Sequence, residues 1–236
     1  MTIALLIATC FSFGFFIESI IGFGGGMIAY SILGIFMNIK EMILAGLYIG
    51  TISSAAIIFS DYKKVSKRIF FSSIPICFLG TYIGVNAFTT ISLQFMTIAL
   101  GLMLIILSIK TLYFDNLKVP KYYKNSLLLT GGISHGLFGI GGPFFVNALK
   151  PEFNSKSELR VTLALFFVTF NLVRFTKLTV QGDLDPGFFL DIWWTVIPVF
   201  LAIYLGFKVH VKIDEQLFKK GLSLMTLFAG IIFLFK

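Results

Sequence analysis

The sequence is poor in charged residues, and above all in acidic ones. Charged side chains make up 13% of its 236 residues, and only 11 residues are Asp or Glu. A soluble globular domain carries about 25% charge. With 57% hydrophobic residues and a mean hydropathy of +0.94, the composition excludes a soluble domain and indicates a protein that resides in lipid.

Cysteine and histidine are also scarce, with two of each. Cys10 and Cys77 lie inside apolar runs, where free cysteine acts as a small buried hydrophobe, and their spacing fits neither a disulfide framework nor a metal site. The sequence offers no metal-ligand cluster, no nucleotide-binding loop and no nucleophile beside an orienting base. We therefore expect no enzyme activity, no catalytic residues, no metal and no cofactor.

What the sequence does have is a series of long apolar runs. A membrane helix needs about 20 apolar residues, whereas the strands of a membrane barrel alternate polar and apolar side chains over about ten. These runs are continuous, so they predict an all-α polytopic membrane protein. They cover Ile3–Phe36 with an interruption, Met42–Phe59, Ile69–Phe88, Ile91–Ile109, Ser126–Leu149 with an interruption, Leu159–Val180, Phe188–Phe207 and Leu217–Phe235.

The basic residues lie in short links between these runs, so the net charge of +8 indicates membrane orientation rather than a nucleic-acid partner. The positive-inside rule places basic links in the cytoplasm. Fifteen of the nineteen Lys and Arg residues fall in inner links if the segment Ser126–Leu149 enters the membrane and returns. We therefore predict a re-entrant hairpin there, with inner links at 61–68, 110–124, 150–160 and 208–220.

An internal repeat divides the chain into halves. A shift of 117 positions superposes the glycine-rich segment 22–26 on 139–143 and also matches Gly14 with Gly131. Each half then contains one glycine-broken hairpin and three transmembrane helices, and this odd number of crossings inverts the second copy. We predict two inverted-topology repeats, 1–113 and 126–236, joined by a cytoplasmic linker at 114–125. The alternative for the first half is that Ile3–Ile21 spans the membrane alone, so the side of the N-terminus stays open.

The glycine breaks are the first candidate site. Backbone groups released inside a membrane must line an enclosed or watery cavity, and the N-terminus of the helix after each break favours an anion. We expect two such N-termini near the middle of the membrane. The alternative is that the small residues only allow close helix packing. The candidate residues are Gly22, Gly24, Gly25, Gly26, Gly139, Gly141, Gly142 and Pro143.

Two ionisable residues stand at equivalent positions before the breaks. Glu18 and His135 are related by the same shift of 117, and each precedes its first glycine by four residues. Such residues inside a membrane suggest proton coupling or contact with the cargo. The structural alternatives are that Glu18 satisfies N–H groups at its break and that His135 is a hydrogen-bonded structural histidine.

Polar residues recur in the span that follows each break. Asn171 aligns with Ser54 under the same shift, and Arg174 lies one turn beyond Asn171. All three are candidate contacts for an anion. Arg174 instead reaches the outer surface beside Lys177 if it behaves as long cationic side chains near span ends commonly do. Four weaker candidates are Tyr30, Ser53, Ser134 and Asn147.

The segments Glu18–Gly26 (ESIIGFGGG) and Ser134–Pro143 (SHGLFGIGGP), placed in two halves of a small hydrophobic chain, resemble the TauE/SafE sulfite exporter family, also called the toluene sulfonate uptake permease group. The resemblance covers nearly the whole chain. It implies transport of sulfite, sulfonates, thiosulfate or related organic anions, driven by an ion gradient. The second break departs from the first in having Pro143 where Gly26 stands.

These observations predict a secondary transporter of a small anion that works by alternating access in the cell (inner or plasma) membrane. The expected partners are the anionic substrate, membrane lipid and a coupling ion such as the proton, and no nucleic acid. An anion channel without ion coupling is the alternative.

Overall fold

A computed structural model describes residues 2–21, 24–114, 120–208 and 215–236, and within these ranges the regular structure is helical throughout. The all-α prediction is therefore confirmed. The helices are α1 (Thr2–Ile21), α2 (Gly25–Phe36), α3 (Ile39–Asp61), α4 (Lys67–Thr90), α5 (Leu93–Tyr113), α6 (Lys124–Phe138), α7 (Gly142–Leu149), α8 (Lys156–Gln181), α9 (Pro186–Ile192), α10 (Val196–Lys208) and α11 (Glu215–Leu234).

The helices fall on the predicted apolar runs. Among the described residues, six helical stretches are long and apolar enough to cross a membrane, namely α1, α3, α4, α5, α8 and α9 together with α10. The segment 186–208 is not one uniform helix, because a 3₁₀ turn at Trp193–Thr195 separates α9 from α10. The fold is that of a polytopic membrane protein. Since α1 is itself long enough to span, both interpretations of the first broken segment stay open.

Local side-chain caps set the start of two long helices. The Ser92 hydroxyl accepts a hydrogen bond from the Phe95 N–H at the start of α5 (3.3 Å). At the start of α8 the Ser155 hydroxyl accepts from the Glu158 N–H (3.1 Å), and the Glu158 carboxylate accepts in return from the Asn154 N–H (3.1 Å). Such caps satisfy N–H groups that have no partner inside the helix.

The helices form two compact units. Unit one contains α1, α2, the first residues of α3, α5, the end of α9, α10 and α11, whereas unit two contains the rest of α3, α4, α6, α7, α8 and most of α9. Each unit therefore draws helices from both halves of the sequence.

Unit two is built around a close crossing of α4 and α6. A Cβ added at Gly84 would lie 2.2 Å from the Ile133 carbonyl oxygen, and one added at Gly132 would lie 2.4 Å from the Cys77 carbonyl oxygen. These distances leave no room for a side chain, so the two backbones touch. Helix α7 packs on α8 through Phe145, whose ring lies 5.9 Å from the Phe166 ring.

The segment α6–α7 is a hairpin. Lys124, the first residue of α6, forms an ion pair with Glu152, which lies in the 3₁₀ turn directly after α7. The chain therefore returns to the end of unit two from which it started, as the charge count predicts.

Charged residues gather at that end of unit two. Asp61, at the end of α3, accepts a hydrogen bond from Ser157 (2.8 Å) and pairs with Lys64 (3.0 Å) and Arg160 (3.6 Å). Nearby, the Ser66 N–H donates to the Thr162 hydroxyl (2.9 Å). These contacts join the link after α3 to the start of α8, so two links that the charge pattern assigns to the cytoplasm meet at one end.

In unit one, α1 packs on α2 and α10, and α5 packs on α11. Phe11 of α1 meets Tyr30 of α2 edge to face, with ring centroids 6.1 Å apart. A Cβ added at Gly206 of α10 would lie 2.7 Å from the Phe16 carbonyl oxygen of α1. Close backbone contact through a glycine therefore holds the first half's broken segment to a helix of the second half.

Candidate functional site

The first break joins α1 to α2 in unit one. Gly24 has a φ of 97°, a left-handed conformation that glycine adopts without strain. The Glu18 carboxylate accepts a hydrogen bond from the Gly25 N–H at 2.7 Å. Glu18, which is 8% exposed, thus satisfies an N–H group at its break, as its structural alternative predicts. A Cβ added at Gly26 would meet none of the described residues within 4 Å, and Gly22 lies outside the described residues.

The second break joins α6 to α7 in unit two. Gly139 ends α6 with a φ of 76°, and Gly141 precedes α7, which starts at Gly142 with Pro143 in its first turn. The Ser134 hydroxyl donates a hydrogen bond to the Ile140 carbonyl oxygen inside the break. At the second break the backbone accepts a hydrogen bond from a hydroxyl group, whereas at the first break it donates one to a carboxyl group.

The two breaks share a local arrangement. A Cβ added at Gly25 would lie 2.8 Å from the Gly14 carbonyl oxygen and 2.7 Å from Glu18 Oε2. One added at Gly141 would lie 2.8 Å from the Gly131 carbonyl oxygen and 2.9 Å from the Cβ of His135. Gly14 corresponds to Gly131 under the shift of 117, and Glu18 corresponds to His135. The break glycines Gly25 and Gly141 are offset from this correspondence by one position.

A buried polar cluster stands beside the second break. His135, Asn171 and Arg174 are each no more than 3% exposed. The Asn171 Oδ1 atom lies 3.1 Å from His135 Nε2 and accepts from Arg174 Nη1 at 3.4 Å. Arg174 Nε also donates to the Gly136 carbonyl oxygen of α6 at 3.1 Å. The structure therefore brings together three of the residues that the sequence proposes as contacts.

The Arg174 side chain is buried and does not reach the protein surface. Its guanidinium is turned inward onto α6, and Lys177, one turn further along α8, lies instead over the Tyr82 ring at 5.8 Å. Ser54 is buried on α3. It lies one turn from Gly50, at which an added Cβ would be 3.9 Å from Asn171 Nδ2.

His135 is fixed by aromatic rings as well as by Asn171. Its ring stacks on Phe167, with centroids 5.2 Å apart and an interplanar angle of 5°, and meets Phe170 at 5.8 Å. The hydrophobic cluster around Phe170 includes Phe145 of α7. The broken helix and the polar cluster are therefore parts of one packed structure.

The sequence interpretation missed the glycines that hold this site in place. Gly80 and Gly84 on α4 face Gly132 and Gly136 on α6, and a Cβ on any of the four would come within 2.4 Å of a backbone oxygen. Each pair is spaced by four residues, which is the small-xxx-small signal for close helix packing. That signal could have identified the crossing, although not which helices form it.

Apolar membrane-length helices and two glycine-interrupted segments, one of them beside a buried polar cluster, define a polytopic helical membrane protein with two broken helices. The family model "Sulfite exporter TauE/SafE" matches residues 6–233. The chain belongs to that family, as the paired glycine motifs indicate. Comparison with curated proteins gave no match, and neither did comparison with solved structures.

Proposed function

We propose that this protein is a secondary transporter of a small sulfur-containing or organic anion, most of all sulfite or a sulfonate, and that it works by alternating access in the inner or plasma membrane. The observation that carries the proposal is the buried Arg174 guanidinium, held by Asn171 and by the Gly136 carbonyl oxygen beside the second break. A cation buried in a medium of low dielectric constant attracts an anion strongly.

The packing pattern supports the duplication on which alternating access depends. The hairpin of the second half packs on α4 of the first half, and the broken segment of the first half packs on α10 of the second half. This reciprocal exchange is what two inverted repeats, 1–113 and 126–236, would produce around an internal two-fold axis.

Flux into liposomes tests the proposal. Purified protein should take up radiolabelled sulfite with saturation and should exchange internal for external anion. Arg174→Gln should lower this flux at least about tenfold, since a hydrogen bond to a charged group contributes roughly 1.5–3 kcal/mol. Lys177→Gln is the matched control, because it removes the same charge one turn away on α8, and it should keep most of the flux.

Three results would contradict the proposal in different ways. An equal loss of flux in both variants would mean that transport depends on the overall positive charge of α8 and not on the buried cluster. Conductance that rises linearly with anion concentration, without exchange, would favour a channel. If the protein transported neither sulfite, nor sulfonates, nor carboxylates, the proposal that it carries a small anion would be wrong.

A further inference from the structure

The hydrogen bonds of the polar cluster determine where His135 carries its proton. A guanidinium can only donate, so the atom of Asn171 that faces Arg174 Nη1 is the amide oxygen. The same oxygen lies 3.1 Å from His135 Nε2. Because a carbonyl oxygen can only accept, Nε2 must carry a hydrogen.

The other ring nitrogen is then a hydrogen-bond acceptor. In an uncharged imidazole with its proton on Nε2, Nδ1 presents a lone pair. Nδ1 is buried and has no hydrogen-bond partner among the described residues, and the whole side chain is 2% exposed. A buried polar atom without a partner is costly, so its presence calls for an explanation.

The cluster thus combines two kinds of group. Arg174 supplies positive charge, and His135 Nδ1 supplies an acceptor on a ring that is linked to Arg174 through the shared Asn171 Oδ1 atom. An anion that has only acceptor atoms, such as sulfate or chloride, can pair with the guanidinium but leaves Nδ1 unsatisfied. An anion that also carries an O–H or N–H group can satisfy both.

We propose that the site selects monoanions that bear their own hydrogen-bond donor, with the oxyanion oxygens towards Arg174 and the donor towards His135 Nδ1. This inference rests on the proposed function and deepens it. Among sulfur oxyanions, hydrogensulfite has the required form, whereas the sulfite and sulfate dianions do not. His135 is then a specificity-determining residue.

Sulfamate and methanesulfonate provide a test that does not require a change of pH. Both are monoanions of similar shape, and they differ in that sulfamate carries an NH₂ group where methanesulfonate carries a methyl group. Isothermal titration calorimetry on the purified full-length protein should give sulfamate roughly tenfold tighter binding, which is the effect of one net hydrogen bond.

Two substitutions of His135 localise the effect. His135→Gln places its amide near the position of Nε2 and leaves nothing at Nδ1, so the preference for sulfamate should disappear. His135→Asn places its amide near the position of Nδ1, so much of the preference should remain. Both variants lose the ring that stacks on Phe167, and each therefore controls for the lost packing of the other.

The outcomes separate this inference from the proposed function. Equal affinity for the two anions in the wild type would overturn the inference and leave anion transport standing. Tighter binding of methanesulfonate would show that Nδ1 is not available as an acceptor, with the same consequence. Binding of neither anion, with no flux of sulfite, would overturn both.

Discussion

Glu18 lies where the N-terminus of α2 favours a negative charge. Its carboxyl group already accepts a hydrogen bond from the Gly25 N–H, whereas the side chain at the equivalent position of the second break is a histidine. The two breaks therefore differ in the ionisable side chain that stands beside them. We infer that an external anion binds more readily beside the second break.

Two substitutions at Glu18 distinguish its structural role from proton coupling. Glu18→Gln keeps an acceptor for the Gly25 N–H but removes the titratable group, so we expect near wild-type thermal stability with loss of pH-driven flux. Glu18→Ala removes the acceptor and should also lower the free energy of unfolding by about 1–3 kcal/mol. Thermal unfolding in detergent and flux in liposomes measure the two effects. Wild-type flux in Glu18→Gln would exclude the coupling role.

Arg174 illustrates what the sequence leaves undecided. Its position near the end of an apolar run is compatible with a side chain that reaches the surface and with one that turns inward. The inward orientation depends on a hydrogen bond to the Gly136 carbonyl oxygen, and α6 brings this atom next to α8 only in the folded protein. His135 and Asn171 were identified by their polarity in apolar runs, but their shared hydrogen bond depends on the same packing.

Among the helices, the close α4–α6 crossing should not tolerate a larger residue at its glycines. Gly84→Ala would place a methyl group 2.2 Å from the Ile133 carbonyl oxygen, so the helices must separate. Overpacking of this kind costs typically 1–3 kcal/mol, and we expect a lower melting temperature together with reduced flux, because α6 also carries His135.

Gly26→Ala is the matched control for this substitution. Gly26 lies in α2, and a Cβ there meets no atom of the described residues within 4 Å, so alanine should be neutral or slightly stabilising because it has the higher helix propensity. An equal loss of stability in the two variants would mean that glycine is needed for a reason other than close packing.

The course of the helices was largely predictable, because hydropathy depends on the chain alone. Helices α2 and α7 begin directly after the two glycine breaks, where the sequence predicts helix N-termini. The pairing of helices was not predictable in the same way. Gly101 of α5 and Gly230 of α11 approach each other's backbone, but nothing in either run identifies its partner.

At the scale of the whole molecule, each unit requires both halves of the chain. Fragments 1–118 and 119–236 should therefore be unstable when expressed singly, because each lacks helices that complete a unit. Expressed together, they should assemble into a species that co-elutes in detergent. Protease resistance and size-exclusion chromatography report the result, with the uncut chain as reference. A stable first fragment alone would contradict the need for exchange.

The exchange of helices also imposes an order on biosynthesis. The last residue of unit two is Leu190, so unit two has all its helices before α10 and α11 have been translated. The Arg174 guanidinium can thus reach its α6 partner early, which limits the time that an unpaired charge spends in the bilayer. The broken segment α1–α2 is synthesised first, but it can complete its packing only after α10, one of the last helices to leave the ribosome, has been made.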